Sequence, residues 1–267
     1  MAMRFCILGS GSSGNSALLV TAGARVLVDA GFSARKLEQL LAAVGESLAR
    51  IDAVFLTHEH GDHAAGIEGL KKFPHIRIYA NGPTARAVQA SLPHRPAWQI
   101  FETGAAFQFR DLEVRSFSVP HDAHDPVGFR FTSGHEGDLF DPRRSLAWLT
   151  DLGHAPPHLV EQLRECDVLV VEANHCPQLL EADHRRPWAT KKRISGRHGH
   201  LSNDGVRALL DAAASPRWRR IFLIHLSRDC NSPAAVAAAL AGLRTRLPCE
   251  LSIVGAGEGA PFYDVGA

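Results

Sequence analysis

Apolar positions in the first thirty residues come in short runs separated by small and polar ones. Residues 4–8, 17–21 and 25–29 are apolar and rich in β-branched side chains, with glycine-rich or small punctuation at 9–14 and 22–24. Each run predicts a strand joined to the next by a tight turn. The period then changes. Leu37, Leu40, Leu41 and Val44 fall at i, i+3, i+4 and i+7, Ser33 is placed to cap, and Gly45 stands where a helix stops, which predicts an amphipathic helix. An unbroken apolar run at 51–57, the mark of a strand buried on both faces, ends at His58.

The alternation continues. It predicts a helix at 64–73, a strand at 77–80 and a helix with Pro83 at its first position. Strands are predicted at 106–109, 113–119 and 127–132. The polar stretch 133–144, with Gly134, Gly137 and Pro142, reads as a hairpin loop. A strand at 145–150, a helix at 157–165 and a strand at 168–172 follow. Residues 173–201 show no clear period and read as a long functional loop. A helix at 203–214, a strand at 220–225, a helix at 233–246 and a strand at 250–254 complete the pattern. A strand-rich opening followed by helix–strand alternation occurs twice, with the division near Gly134 and no linker. One domain over residues 1–267 is expected, with two sheets covered by helices on the outside.

Composition narrows the class. With 267 residues, 45% hydrophobic and 21% charged, the chain suits a folded globular protein with a sizeable core. A net charge of +1 excludes a globally basic nucleic-acid binder and leaves room for a local patch. Five scattered cysteines with no Cys-x-x-Cys pair argue against a disulfide framework or a structural zinc knuckle. No apolar run approaches the roughly 18 residues that cross a bilayer. The stretch before Gly9 is too short for a signal peptide, so the cytoplasm is the expected compartment. The unusual feature is fifteen histidines, several of them clustered.

The sharpest cluster is His58-Glu59-His60-Gly61-Asp62-His63, directly after the 51–57 run. Histidines two apart on a loop can aim at one ion, and the Asp and His that follow can turn the other way to hold a second. Imidazoles and a carboxylate suit zinc, and also iron or manganese. A solvated polar loop would not require three histidines at the end of a buried strand.

This His-x-His-x-Asp-His pattern resembles the signature of the metallo-β-lactamase superfamily. The resemblance runs almost end to end and implies an α/β, four-layer αββα sandwich with two divalent metal ions at one sheet edge. By the same resemblance His58, His60 and His121 hold the first ion, Asp62, His63 and His225 hold the second, and Asp151 bridges, while Asp29 supports the histidine loop from behind. His124 competes locally with His121, which is preferred because it directly follows its strand. The Gly9–Ser16 loop, Pro120-His121-Asp122-Ala123, Glu172-Ala173-Asn174-His175, Gly196-Arg197-His198-Gly199-His200-Leu201-Ser202-Asn203 and His225-Leu226-Ser227 together resemble the bacterial YycJ (WalJ)-like branch. That branch is associated with 5′-to-3′ exonuclease action on DNA; it usually carries Asp where this chain has Cys176.

The expectation is therefore a phosphodiester hydrolase using a hydroxide bridging two metals, with Asp62 orienting it. His200, in Gly-His-Leu-Ser, resembles an element of tRNA 3′-processing phosphodiesterases and is expected to protonate the leaving oxygen, while Ser202 and Asn203 serve the next helix. Residues 184–203 carry six cations and no acid, +6 against +1 for the whole chain and so −5 elsewhere. Beside a metal site they predict a track for a nucleic-acid backbone, DNA before RNA. Lys191, Lys192, Arg193 and Arg197 are its contacts and Trp188 is a base-stacking platform. Ser12, Asn15 and His175 complete the expected substrate contacts. Two alternatives stand beside this: a hydrolase of a small lactam, thioester or cyclic phosphodiester, for which the basic loop would be idle, and a non-catalytic DNA-binding protein with a structural metal, against which an open His/Asp site argues.

Overall fold

The structure, a computed structural model, describes residues 3–266. The short apolar runs become strands because both of their faces find a partner layer. The first sheet is built from β1 (Arg4–Gly9), β2 (Ser16–Val20), β3 (Arg25–Val28), β4 (Ala53–Phe55), β5 (Arg77–Asn81) and β6 (Trp98–Phe101). The second comprises β7 (Ala106–Phe109), β8 (Leu112–Ser118), β9 (Val127–Ser133), β10 (Arg144–Leu149), β11 (Val168–Glu172), β12 (Arg220–Ile224) and β13 (Glu250–Ile253). The last strand, β14 (Ala260–Asp264), returns to the first sheet as the antiparallel neighbour of β1.

Alternation within strands divides the core. Leu19, Val26, Phe55, Phe129, Trp148, Val168 and Val170 meet between the sheets, where Phe55 stacks on Tyr79 at 4.7 Å and meets Phe109, Phe129 and Phe131 edge-on. Their neighbours Leu18, Leu27 and Val54 face α1 (Ala34–Ala43), and Leu169 and Val171 face helices on the other side. The remaining helices are α2 (Gly61–Ala64), α3 (Gly82–Ala90), α4 (Pro157–Arg164), α5 (Pro177–Ala182), α6 (Trp188–Ile194), α7 (Asn203–Ala213) and α8 (Pro233–Arg244). With α1 and α3 outside the first sheet and α4, α7 and α8 outside the second, the molecule has the four-layer αββα order. Ser33 caps α1 as expected, accepting from Lys36 N, and Gly45 takes a left-handed φ of 76° just past its end.

Each sheet repeats one plan: three antiparallel pairings, then three parallel ones. The division between halves therefore falls between β6 and β7, not near Gly134, which sits in the β9–β10 hairpin inside the second sheet. The expected 64–73 helix is instead the single turn α2 and a 3₁₀ segment Ile67–Lys72. They break at Gly66, which lies so close to Phe32 that a Cβ would come 2.2 Å from the Phe32 carbonyl. The 173–201 stretch is not one loop, since α5 and α6 lie within it. β6 and β14 escape the pattern, being short edge strands of mixed polarity, one closely preceded by Pro96 and the other containing Pro261.

Parallel strands deliver their C-terminal ends to one edge, where loops can converge on a ligand. β3 and β4 do so in one sheet and β10, β11 and β12 in the other; β8, two antiparallel steps from β10, ends at the same edge.

Candidate metal centre

Three residues that end strands at this edge are bent into the left-handed region: Asp29 (φ 62°), Asp151 (φ 57°) and His225 (φ 57°). That backbone is costly for a residue with a Cβ, and such cost is tolerated where surrounding structure fixes it. Here each turn swings a ligand-type side chain across the gap between the sheets. After β4, Thr57 N and Oγ1 donate to Asp29 Oδ1 at 2.8 and 3.0 Å, and His63 Nδ1 donates to Asp29 Oδ2 at 2.8 Å. Asp29 thus holds the histidine loop from behind. Because a carboxylate only accepts, it puts the His63 proton on Nδ1 and leaves Nε2 facing Asp151 Oδ2 at 3.1 Å.

The one-turn helix α2 separates two directions. His58 and His60 precede it and meet His121; the ligand atoms of these three lie within 4.8 Å of one another. Asp62 and His63, inside the turn, form a second such group with His225, and Asp151 joins His58 and His63 in a third. All seven expected ligands come together. His121 Nε2 lies 3.3 Å from His60 Nδ1, while its Nδ1 donates to Gly199 O at 2.9 Å. His124 is excluded as a competitor: it is exposed and pairs with Glu59, which turns away from the centre.

The donor set suits divalent ions. His58 Nε2, Asp151 Oδ2 and His225 Nε2 are buried and make no hydrogen bond, a costly state for groups that would otherwise be ligands. Burial, helped by His63, lowers the His58 pKa well below the usual range, so it is a neutral imidazole as ligation requires. Burial alone would raise Asp151, but the imidazoles of His225 and His63 outweigh it and hold the carboxylate well below its ordinary range. Those residues are the ones that would hold divalent metal.

Glu172 is the residue that sequence reasoning did not assign a role. It is fully buried at the end of β11, and its Oε1 accepts from both His200 Nδ1 and His225 Nδ1 at 2.8 Å. Its other oxygen takes Leu152 N at 3.0 Å and Leu201 N at 3.3 Å. Burial opposes its charge, but the two imidazoles lower its pKa to about 2. The same pairing raises His200 against its burial. The signal was present in Glu172-Ala173-Asn174-His175, but a lone Glu after four aliphatic residues does not reveal which distant histidines it meets.

The expected substrate contacts divide. Asn15 is buried and structural: its Oδ1 accepts from Gly11 N at 2.8 Å, and its Nδ2 lies 3.0 Å from His63 Nε2 and 3.4 Å from Asp62 Oδ2. Gly31 must be glycine beside it, since a Cβ would stand 1.7 Å from Asp62 O. Ser12 is exposed and lines a separate cavity of about 190 Å³ with Arg186 and Arg228. His175 is buried behind His200, its pKa pushed down to about 4 mainly by burial. The six cations of 184–203 are less free than a segment without acids suggests. Arg185 and Arg186 pair with Asp183 and Asp229, Arg193 with Asp122 at 3.2 Å, and Lys191 Nζ donates to Glu181 O. Lys192 lies 4.3 Å over the ring of Trp188, and Arg197 is exposed beside His154. Ser202 caps α7 through Gly205 N, and His200 Nδ1 lies 3.4 Å from Asp151 Oδ1.

Known proteins are similar to this chain to different depths. A family model described as the beta-lactamase superfamily domain matches residues 24–226. The chain is 36% identical over 233 residues to exodeoxyribonuclease WalJ of Streptococcus pneumoniae, covering 85% of this chain and 83% of that one. It is 32% identical over 233 residues to exodeoxyribonuclease YycJ of Bacillus anthracis, covering 86% and 85%. Among solved structures, the metallo-beta-lactamase fold protein YhfI of Bacillus subtilis superposes with a TM-score of 0.70 at 16% identity, over 97% of this chain and 99% of that one. A diphosphatase of the PhnP family gives 0.68 at 18%, over 98% of each. At those identities the two structures speak for the fold alone. Among the described residues no helix is long and apolar enough to cross a membrane.

Proposed function

The chain belongs to the metallo-β-lactamase superfamily, and we propose that within it the chain is a metal-dependent phosphodiesterase, a 5′-to-3′ DNA exonuclease of the cytoplasm. The observation that carries the reading is the edge where two three-ligand groups flank Asp151 with three buried ligand atoms unsatisfied, immediately beside the Glu172–His200 pair. The names of the relatives at 36% and 32% identity supply the substrate class.

Two divalent ions, zinc first and manganese or iron also compatible, would activate water near neutral pH and neutralise phosphate oxygens. The chain's own residues do the rest. Asp62, the half-buried member of the second group, is placed to orient the attacking water. Glu172 accepts the Nδ1 proton of His200, fixing the ring and favouring its charged form, so that Nε2 can deliver a proton to the leaving sugar oxygen. Asp29 and Asn15 keep His63 and Asp62 in register. The cations and Trp188 beyond His200 meet the strand as it leaves the centre.

The test is metal analysis of the purified protein, then digestion of end-labelled single- and double-stranded DNA and RNA with each metal. Two ions per chain and nucleotides released progressively from the 5′ end of DNA are expected. Turnover of lactams or thioesters with DNA untouched would overturn the reading.

A further inference from the structure

A cavity of about 840 Å³ opens behind His200, between α7 and the pair α5–α6. It falls within the range of roughly 300–1,000 Å³ typical of ligand pockets. Its inner end abuts the candidate centre, because His200 and Gly153, two residues past Asp151, are in its lining. Its lining mixes apolar residues, Val160 on α4, Leu180 on α5 and Leu209 on α7, with polar ones, among them His154, His175 and Glu181. Its cations, Lys191 and Lys192, stand on α6 with the exposed Trp188.

The outer wall of the hollow is α6. None of its residues is buried, and it is held by polar contacts: Lys191 to the Glu181 carbonyl and Arg193 to Asp122. Between that wall and α7 lies a space that nothing in the chain fills, bordered by the exposed Trp188 and Ala208 and by the edges of the otherwise buried Leu180 and Leu209, and a cavity of this size beside a candidate centre is the usual form of a binding site. The occupant must have a flat apolar part to enter and an anionic part to meet Lys191 and Lys192. It must also be tethered close to His200.

We infer that this cavity receives the base of the nucleotide at the cleaved end of the DNA strand, a reading that rests on the nuclease function proposed above. The phosphates then run past the α6 cations. Inside, beyond the two lysines, there is room for a base, whose polar edge can meet Ser202 or His175 and whose faces meet the lining around Leu180 and Leu209. Trp188, braced by Lys192 at 4.3 Å, is placed to stack the next base outside. Such a pocket requires an unpaired end and tolerates any of the four bases.

The full-length, metal-loaded protein is tested with short single-stranded DNA carrying an abasic nucleotide at one end or the other, by fluorescence anisotropy and by hydrolysis. Loss of the base at the cleaved end should weaken binding about tenfold, the scale of one stacked base, and loss at the other end should change nothing. Ala208, exposed on α7 and part of the lining, tolerates enlargement. Ala208→Trp, or Ala208→Leu if the larger ring unfolds the helix, should bind intact and abasic strands equally weakly. Hydrolysis of bis-p-nitrophenyl phosphate should be unchanged. Wild-type binding indifferent to the terminal base, or no DNA binding at all, would overturn the pocket. Hydrolysis without base dependence would do so while leaving the nuclease reading standing. Base-dependent binding without hydrolysis would support the pocket and overturn the nuclease.

Discussion

The ligand edge and the α5–α6 wall lie on either side of His200, yet they are built in opposite ways. At the edge, Asp29, His58, His63, Asp151, Glu172 and His225 are buried, most of them fixed by at least one short polar contact to another strand end. The wall has a seven-residue helix with nothing buried, tied to Asp122 by its own Arg193 and preceded by Arg185 and Arg186, which pair with Asp183 and Asp229. The chemistry is set into the core, so its geometry is as rigid as the packing around it. The wall proposed for recognition is hung on the surface, where exposed ion pairs contribute little and residues can change without unfolding the protein. The two meet at His121, whose Nδ1 donates to Gly199 O just after the wall and whose Nε2 lies 3.2 Å from the Asp122 that Arg193 holds. Substitutions in the edge should harm every substrate, and substitutions in the wall only those long enough to touch it.

The largest effect should come from Asp151→Ala. It removes the carboxylate shared by the two ligand groups and leaves His63 and His225 buried without it. Metal content should fall below two per chain, and hydrolysis of DNA and of bis-p-nitrophenyl phosphate should drop together to background. Retained DNA cleavage would break the contrast at its strong end. Chelation of the wild type should mimic this reversibly, and reloading should depend on pH. Burial works against charge on His225, but Asp151, Asp62 and Glu172 outweigh it and raise its pKa to about 10. At pH 7 the metal-free His225 is therefore protonated and must release that proton to bind metal, so affinity should rise as pH rises toward 10. Titration calorimetry in buffers of different ionisation enthalpy measures the proton released.

Next in size is His200→Ala, at the junction of the two regions. A general acid contributes roughly 10²–10⁴-fold. DNA, whose leaving alkoxide needs a proton, should lose about that factor, and a p-nitrophenyl ester, whose leaving group does not, far less. Metal content should not move. If it does, His200 belongs to the ligand edge instead.

What was legible follows the same division. His58, His60, Asp62 and His63 are consecutive enough to be read as a metal loop, and Asp151 and His225 each end an apolar strand, so pattern and position agree. Glu172 was not assigned because its role depends on two histidines 28 and 53 residues away, a pairing made by the parallel order of β10, β11 and β12. The wall was legible only in part. Counting charges within 184–203 could not foresee Asp122, Asp183 and Asp229 folding against it. β14 was invisible because its pairing with β1 joins the two ends of the chain, and no local period records that.

Glu172→Gln tests whether orientation alone matters. The amide keeps the volume but cannot accept two Nδ1 protons as well as a carboxylate. Partners of metal-ligating histidines typically contribute 10–100-fold to affinity or activity. A loss of about that size is expected on DNA, with a smaller one on the p-nitrophenyl ester, because both His200 and His225 lose their anchor. An effect confined to DNA would mean that His200 alone depends on Glu172.

The smallest effects belong to the wall and separate its cations from one another. Removing one cation that meets a phosphate should reduce the salt slope of DNA binding by about 0.7 on single strands and about 0.9 on duplex. Lys192 is exposed and makes its close contact with Trp188 rather than an acid, so Lys192→Ala should approach that full decrement. Arg193 is already paired with Asp122, so Arg193→Ala should remove less of the slope. Lys191→Ala frees the Glu181 carbonyl, loosening α6 as well as removing a charge, and should fall between. The triple variant should bind DNA more weakly and with a flatter slope, and turn over bis-p-nitrophenyl phosphate at the wild-type rate. Equal losses on both substrates would mean that the wall holds the edge in place through His121, and the contrast between a rigid centre and a replaceable surface would fail at that junction.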